Sequence, residues 1–272
     1  MERACAGSCN LQLPAHADRA LVGIISQTTG GSPTPMLPTH VNLFDRPVAH
    51  DLSTLMSLLH QAGDARRHHH HVSLNANKLH LASGDPALRS MLAEAETAAA
   101  DGAAIRWLAR RWQLDEPERI TGCDLATRLV EGAAQRGWRT YLFGGAPRVV
   151  ARVAERFRDT VVGCCDGYAG DDEAVAAAIA AAHPHLVLVA LGSPRSEHFI
   201  ARWRPEALCL GVGGTFDVLA GEVPRAPRFT HGIGLEGAWR VATQPRRLPG
   251  AVRMAATLWR IARQGPAAVG AS

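Results

Sequence analysis

Apolar positions along the chain fall into short runs and longer helical spacings. Short runs rich in branched and aromatic residues predict strands at 41–44, 71–74, 140–143, 160–165, 186–192 and 207–213. Apolar residues three and four positions apart predict helices over 51–61, 86–98, 124–136, 147–158 and 171–182. The run LVLVALG at 186–192 is apolar at every position, which is typical of a strand buried inside a parallel sheet.

Strands that alternate with helices in this way predict an α/β fold. We expect a doubly wound, mostly parallel, Rossmann-like sheet with helices on both faces. Asp124 and Asp171 are the expected N-caps of two helices, and Pro147 suits a first helical turn. Ligands of such sheets bind beyond the carboxyl ends of the strands, so the loops that follow the strands are where functional residues are expected.

The chain divides into three predicted segments. Residues 1–38 carry clusters of Pro, Ser, Thr and Gly with little periodicity, which predicts a flexible N-terminal extension. Residues 39–228 form the α/β core. Residues 229–272 form a basic helical appendage, predicted as two helical pieces broken between Pro245 and Pro249.

The charge and composition of the chain limit the kinds of partner that it can bind. The net charge of +4 is too small to indicate nucleic acid, but from Glu222 onward there are eight arginines against two acids. This excess predicts an anionic partner, either phosphates or a lipid surface, and tryptophans among the arginines suit a membrane surface. The alternative is a C-terminal helix packed on the core with solvated arginines. Because no apolar stretch approaches the ~20 residues of a spanning helix, and no signal-peptide pattern opens the chain, we expect a cytoplasmic protein.

Three glycine-rich loops follow predicted strands and lead into helices. In each, backbone N–H groups at a helix N-terminus can face a phosphate, although a single glycine turn is more often structural. None carries a complete dinucleotide fingerprint or a P-loop lysine. Together they predict a nucleotide site, with candidate contacts at Gly144, Gly145, Pro194, Ser196, Glu197, Gly213, Gly214, Thr215 and Asp217.

Asp101 is the leading acidic candidate. It follows an alanine-rich segment and precedes a glycine, which predicts a carboxylate at a strand-to-helix junction where a general base would face the cleft. The competing interpretation is that Asp101 caps a helix over 103–112. Ser73 and Asn75 lie at the end of another predicted strand, where substrate contacts are common. Arg119 is a candidate phosphate ligand or a salt-bridge partner of nearby acids.

The four histidines at 68–71 do not predict a metal site. Adjacent strand residues point to opposite faces, so at most two of them could share one ion. The six cysteines show no ligand spacing either. We expect no metal.

The segments carrying these candidates resemble the WecG/TagA/CpsF family of glycosyltransferases (family 26), in order, across about 41–253. The resembling stretches are VSLNAN (72–77), ADGAAIRWLAR (100–110), ERITGCDL (118–125), FGGAP (143–147), LGSPRSE (191–197), VGGTFDVLAGEVPRAP (212–227) and GLEGAWRVATQPRRL (234–248). The sequence departs from the family pattern at six positions. The family has Thr, Pro, Gly, Gln, Trp and Glu where this chain has, in the same order, Ser73, Ala100, Ala104, Ser196, Gly237 and Gln244.

The resemblance implies an inverting, metal-independent hexosyltransferase that needs no cofactor. It would move a sugar, N-acetylmannosamine first among the candidates, from UDP to a polyprenyl-diphosphate-linked saccharide during cell-surface polysaccharide biosynthesis. The enzyme would be peripheral at the inner face of the bacterial cytoplasmic membrane, and a homo-oligomer is left open. Asp101 would be the base, with Ser73, Asn75, Arg119 and Arg225 near the substrate. The arginines predicted to face the diphosphate or the lipid are Arg240, Arg246, Arg247 and Arg253.

Two other functions stay open at this point. The departures at Ala104, Ser196 and Gly237 are compatible with a non-catalytic sugar-nucleotide-binding protein of a polysaccharide assembly complex, and a UDP-glucose or other hexose donor is the alternative substrate. The glycine loops also admit a dinucleotide-dependent oxidoreductase with Asp166 on the ribose, although the fingerprint is defective.

Overall fold

Strands supply the framework of the molecule. In the computed structural model, which describes residues 42–43, 46–223 and 248–265, the strands are β1 (Asn42–Leu43), β2 (Arg46–Ala49), β3 (His69–Leu74), β4 (Thr97–Ala100), β5 (Thr140–Gly144), β6 (Val161–Cys165), β7 (Leu186–Ala190) and β8 (Leu208–Gly211). They form one sheet in the order β1-β2-β4-β3-β8-β7-β5-β6. Only β1 runs antiparallel to its neighbour, and the other described pairs are parallel.

Helices connect these strands. The described helices are α1 (Leu52–Ala65), α2 (Ala76–Ala82), α3 (Pro86–Glu94), α4 (Ala103–Arg111), α5 (Gly122–Gly132), α6 (Pro147–Arg156), α7 (Asp172–Ala182), α8 (Arg195–Trp203), α9 (Thr215–Leu219) and α10 (Leu248–Gln264), with a 3-10 turn at Ala134–Arg136.

Alternating strand residues enter different cores, which places helices on both faces of the sheet. Leu186 and Leu188 of β7 pack with residues of α1, α5 and α6, whereas Val187 and Val189 pack with α7 and α8. A third cluster joins β3 and β4 to α2, α3, α4 and α10. The predicted doubly wound α/β fold is confirmed.

The predicted helix over 86–98 is wrong at its C-terminal end. The helix α3 stops at Glu94, and Thr97–Ala100 forms β4 between β2 and β3. Alanine is the best helix former, so the alanine run predicts helix locally. Its buried position in the middle of the sheet decides otherwise. Neither β2 nor β4 was among the predicted strands, although a strand end was expected before Asp101.

Capping predictions had mixed outcomes. Asp171 caps α7, accepting a hydrogen bond from the amide of Ala174 at 3.0 Å, and Pro147 opens α6, as expected. The assignment of Asp124 as an N-cap is wrong, because Thr121 caps α5 and its hydroxyl oxygen accepts from the Asp124 amide at 3.1 Å.

The C-terminal helix α10 packs one face on the core. Ile261 and Ala262 are buried with residues of α2 and α4, and the Trp112 indole donates to the Ala262 carbonyl at 3.3 Å. Pro249 lies in the first turn of α10, where proline costs no intrahelical hydrogen bond, and the second predicted helical piece begins here at Leu248. The predicted extension over 1–38 and the first appendage helix lie outside the described residues.

Candidate active site

The site lies where the two halves of the sheet meet. One half holds β1 to β4 and the other holds β5 to β8, and β3 adjoins β8 between them. Pairing of β3 with β8 runs from His69 opposite Leu208 to His71 opposite Leu210 and ends there, although β3 continues to Leu74. A crevice between diverging strands at their carboxyl ends is the usual ligand site of a doubly wound sheet.

Ser73 and Asp101 come together on one side of this crevice. Ser73 is the penultimate residue of β3, and Asp101 directly follows β4, which pairs with β3. The Asp101 amide donates to the Leu74 carbonyl at 2.7 Å. A methyl group on Gly122 would lie 2.9 Å from Ser73 Oγ and 3.7 Å from Asp101 Oδ2. The glycine at the start of α5 thus gives both side chains room at the same point.

Asp101 does not cap the helix that follows it. Gly102 occupies the N-cap position of α4, with no side-chain hydrogen bond to the helix. The Asp101 side chain is half-buried. The capping interpretation is therefore not what the structure shows, and the general-base assignment remains a prediction with suitable geometry.

Arg119 lies beside the end of β4. The amide of the next residue, Ile120, donates to the Ala100 carbonyl at 2.9 Å, which places the half-buried Arg119 beside the Asp101 segment. The neighbouring Glu118 carboxylate accepts from the Leu52 amide at 2.7 Å, at the start of α1. The ERITG stretch therefore joins the start of α1 and the end of β4 to the start of α5.

Asn75 is the N-cap of α2. Its side-chain oxygen accepts from the Lys78 amide at 3.1 Å and caps α2. Cap residues fix where a helix starts, so Asn75 also orients the turn that follows Ser73.

Four helices that follow strands of the sheet lack side-chain caps at their N-termini among the described residues. This holds for α4, α6, α8 and α9, which follow β4, β5, β7 and β8. The helices α1, α2, α3, α5 and α7 are capped by side chains. Backbone N–H groups at uncapped N-termini favour anions, so the three predicted glycine loops share the feature that phosphate binding needs.

The FGGAP turn requires its glycine. Gly144 has φ of +113°, and a Cβ there would lie 2.5 Å from the Ala190 carbonyl carbon. The Gly145 amide donates to Ala190 O at 3.1 Å, and Gly167 donates to Gly145 O at 2.9 Å. The loops after β5, β6 and β7 are thereby fastened to one another.

The other two glycine loops use their polar groups internally. The buried Ser196 hydroxyl donates to Val189 O and accepts from Leu191 N, both at 3.2 Å. Thr215 Oγ1 donates to Val212 O at 2.6 Å. Asp217 is half-buried, with Oδ2 3.6 Å from a Cβ built on Gly214. Pro194 opens α8, and Gly213 has φ of +52°.

Glu197 forms a buried ion pair that the sequence did not reveal. Its Oε1 lies 3.0 Å from Nζ of Lys78, and the two side chains are 1% and 5% exposed. Lys78 also donates to the Ser73 carbonyl at 3.1 Å, and Ser193 Oγ donates to Glu197 Oε1 at 3.1 Å. One feature of the sequence could have drawn attention to this residue, because Lys78 is the only lysine among the 29 Lys and Arg residues.

Tyr168 was also missed. It is 79% exposed in the loop after β6, next to Gly167, which bonds to the FGGAP turn. The Asp166 carboxylate accepts from the Tyr168 amide at 2.8 Å and holds the loop. An exposed aromatic ring beside the FGGAP turn offers a surface for stacking.

A cavity of about 730 Å³ lies elsewhere, between α1 and α5. It is lined by Asp51, Leu52, Ser53, Met56, His60, Glu118, Arg128, Glu131, Gly132, Gln135 and Arg136. None of the predicted site residues lines it. The candidate site is therefore defined by strand topology and by the neighbourhood of Ser73, Asp101 and Gly122, and not by this cavity.

The histidine run lies at the opposite end of β3. His70 and His71 are buried, and burial, with the Lys78 charge second, lowers the pKa of His70 to about 3 and that of His71 well below its usual range. Thr97 Oγ1 lies 3.0 Å from His69 Nε2 and 3.0 Å from His71 Nδ1. In the described part of the chain, no group of three or more His, Cys, Asp or Glu residues could hold a metal ion.

The outer face of α10 is apolar and exposed. Leu248, Val252 and Trp259 are 53%, 60% and 58% exposed and recur at helical spacing. Trp259 stacks on Trp107 of α4 with ring centroids 6.3 Å apart. We call Leu248, Val252 and Trp259 together the α10 stripe. The exposed Arg253 lies beside it. No helix in the described ranges is long and apolar enough to cross a membrane.

Four predicted arginines, Arg225, Arg240, Arg246 and Arg247, lie outside the described residues. The family model described as "Glycosyl transferase WecG/TagA/CpsF family" matches residues 41–268, which span both the sheet and α10.

Proposed function

Since the chain belongs to the WecG/TagA/CpsF family of glycosyltransferases, which act in cell-surface polysaccharide biosynthesis, we propose that it transfers N-acetylmannosamine from UDP to a polyprenyl-diphosphate-linked saccharide. The observation that carries the proposal is the meeting of Ser73 and Asp101 beside Gly122, across the crevice from three glycine loops. One side carries groups that can activate a hydroxyl, and the other carries groups that can hold a diphosphate.

Asp101 is the proposed general base. The acceptor hydroxyl attacks the anomeric carbon of the donor sugar, the bond to UDP breaks with inversion, and the Asp101 carboxylate takes the hydroxyl proton. Ser73 Oγ, which lies near the same point beside Gly122 as the Asp101 carboxylate, is proposed to hydrogen-bond the reacting sugars. A positioned base contributes typically ~10²–10⁴ in rate.

Charge developing on UDP needs stabilisation in the transition state. Backbone N–H groups at the N-termini of α6 and α8 supply part of it, because their first turns have no side-chain caps. Arg240, Arg246 and Arg247 are proposed to supply the rest. The proposed transfer uses no metal ion, so chelation with EDTA is expected to leave its rate unchanged.

Tyr168 is proposed to stack on the uracil ring. Its side chain is exposed at the edge where the FGGAP turn would receive the diphosphate. Aromatic pairs contribute about 0.5–1.5 kcal/mol beyond the area they bury, so Tyr168→Ala should weaken UDP binding by several-fold.

The α10 stripe is proposed to dock on the inner face of the cytoplasmic membrane. Leu248, Val252 and Trp259 would enter the headgroup region, and Arg253 would contact anionic lipid. Docking there would bring the site to a lipid-linked acceptor. Because Trp259 stacks on Trp107 of α4, the docked face adjoins the helix that follows Asp101.

The experiment that tests the proposal measures UDP released from a panel of UDP-sugars, with and without a short-chain lipid-diphosphate-GlcNAc acceptor. Acceptor-dependent release from UDP-N-acetylmannosamine supports it. Release from UDP-glucose alone would keep the transfer and change the donor. UDP binding without turnover on any acceptor would replace the proposal by a sugar-nucleotide-binding protein.

A further inference from the structure

The chain keeps one lysine and buries it at the crevice. Every other one of the 29 Lys and Arg residues is arginine, yet position 78 is lysine, with a side chain 5% exposed. A compact ammonium on an unbranched stem can enter a space that the planar guanidinium fork cannot. This position therefore needs a buried point charge and not merely a basic residue.

Lys78 bridges the two halves of the sheet. Its Nζ donates to the Ser73 carbonyl on the β3 side at 3.1 Å and pairs with Glu197 of α8 at 3.0 Å. Glu197 Oε1 lies 3.2 Å from a Cβ built on Gly211, at the end of β8. The β3–β8 pairing ends at His71 opposite Leu210, so Lys78 connects the halves just beyond the last paired residues.

Stability alone does not account for this ion pair. Removing two charges from water costs several kcal/mol each, and replacing a buried ion pair by apolar residues is often neutral or stabilising. Glu197 Oε2 is moreover buried without a hydrogen-bond partner among the described residues, which adds a further cost. The pair must be explained by the geometry it fixes.

We propose that Lys78 and Glu197 are positioning residues that set the distance between the Ser73–Asp101 side of the crevice and its glycine-loop side. The inference rests on the proposed function for its catalytic consequence. Ser73 and Asp101 act on the acceptor, and the loops hold the donor, so a loosened crevice would leave each half intact and misplace one substrate against the other. Misplacement of this kind lowers kcat more than it raises KM.

The test compares the double variant Lys78→Met/Glu197→Met with the wild type. We expect a Tm within a few degrees of the wild type, UDP affinity within about threefold, and kcat for transfer lowered at least tenfold. The single variant Lys78→Met should lose Tm as well, because it leaves the buried Glu197 carboxylate without its counter-charge. The single variant Lys78→Arg should also have a lower kcat than the wild type, because the planar guanidinium cannot replace the compact ammonium at this buried position.

The matched control removes an exposed ion pair, Arg158 with Glu155, whose side chains are 73% and 74% exposed. The variant Glu155→Ala/Arg158→Ala should behave as the wild type in every measurement. A double Met variant that keeps both Tm and kcat would overturn the proposal.

Hydrogen exchange supplies a readout that does not depend on turnover. In the double Met variant, peptides covering 72–78 and 191–197 should exchange at least several-fold faster at unchanged global stability, while peptides of α7 keep their rates. Unchanged exchange in both peptides would overturn the inference. If the wild type turns over no UDP-sugar, the proposed function fails, and the exchange result still decides whether the pair fastens the crevice.

Discussion

The Asp101 amide donates a 2.7 Å hydrogen bond to the Leu74 carbonyl, so the proposed base is fixed at its backbone to the strand that carries Ser73. The side chain is held relative to β3 without being used as a helix cap. Asparagine keeps the size of the aspartate side chain and the backbone hydrogen bond, and the start of α4 does not depend on a cap from this residue.

Asp101→Asn should therefore abolish transfer and leave the protein folded. We expect kcat to fall by ~10²–10⁴, the usual contribution of a general base, with Tm changed by only a few degrees. Steady-state UDP release and thermal unfolding of the same preparation check both parts. Wild-type kcat in this variant would remove Asp101 from the mechanism.

Gly122→Ala should impair the site through Ser73. The added methyl group would lie 2.9 Å from Ser73 Oγ, so the hydroxyl must move, and overpacking of this kind costs about 1–3 kcal/mol. We expect transfer to fall at least tenfold. Gly132→Ala is the matched control, because Gly132 ends the same helix and has nothing within 4 Å of its built Cβ. Equal activity of the two variants would contradict the assigned role of Ser73.

Acidification should destabilise the protein through His70 and His71. Burial lowers the pKa of His70 from 6.5 to about 3 and that of His71 well below 6.5, so the folded state holds both rings neutral. This contribution is complete above the unfolded-state pKa and is lost as pH falls below about 6.5 toward the folded pKa. Two such groups give a slope of up to ~2.7 kcal/mol per pH unit.

Urea unfolding at pH 7.5, 6.0 and 5.0 measures that slope. The variant His70→Gln/His71→Gln should flatten it, and His198→Gln, which changes an exposed histidine, should not. A free energy of unfolding that stays constant between pH 7 and pH 5 would show that these rings are not the acid-sensitive groups.

The α10 stripe should bind anionic membranes. Replacing Leu248, Val252 and Trp259 with serine should weaken binding to phosphatidylglycerol vesicles at least about tenfold, because exposed apolar area would no longer be buried in lipid. Vesicle co-sedimentation measures this, and raised salt should weaken the wild type as well. Tyr168→Ser, which removes an exposed aromatic ring away from α10, is the control. Equal binding by the triple variant would exclude this face.

Local pattern was enough to predict the fold class and the strand-to-helix turns that carry the candidate residues. The run at 186–192 became the buried β7, and the glycine loops became strand-to-helix turns, because burial on both faces and backbone conformation leave direct marks on residue type. Ordered short motifs likewise identified the family. Residues 97–98 were assigned to a helix because the alanine-rich stretch favours helix in isolation, and the short-range pattern does not show that this segment lies between two strands.

The sequence by itself determined the alternation of elements, the family and the candidate residues Ser73, Asp101 and Arg119. Tertiary structure alone decided that Ser73 meets Asp101 beside Gly122, and that Lys78 reaches Glu197, 119 positions away, across the crevice. The physical reason is that propensity and periodicity act within a few residues along the chain. A contact between two strand ends depends on sheet order and register, which follow from packing the whole domain.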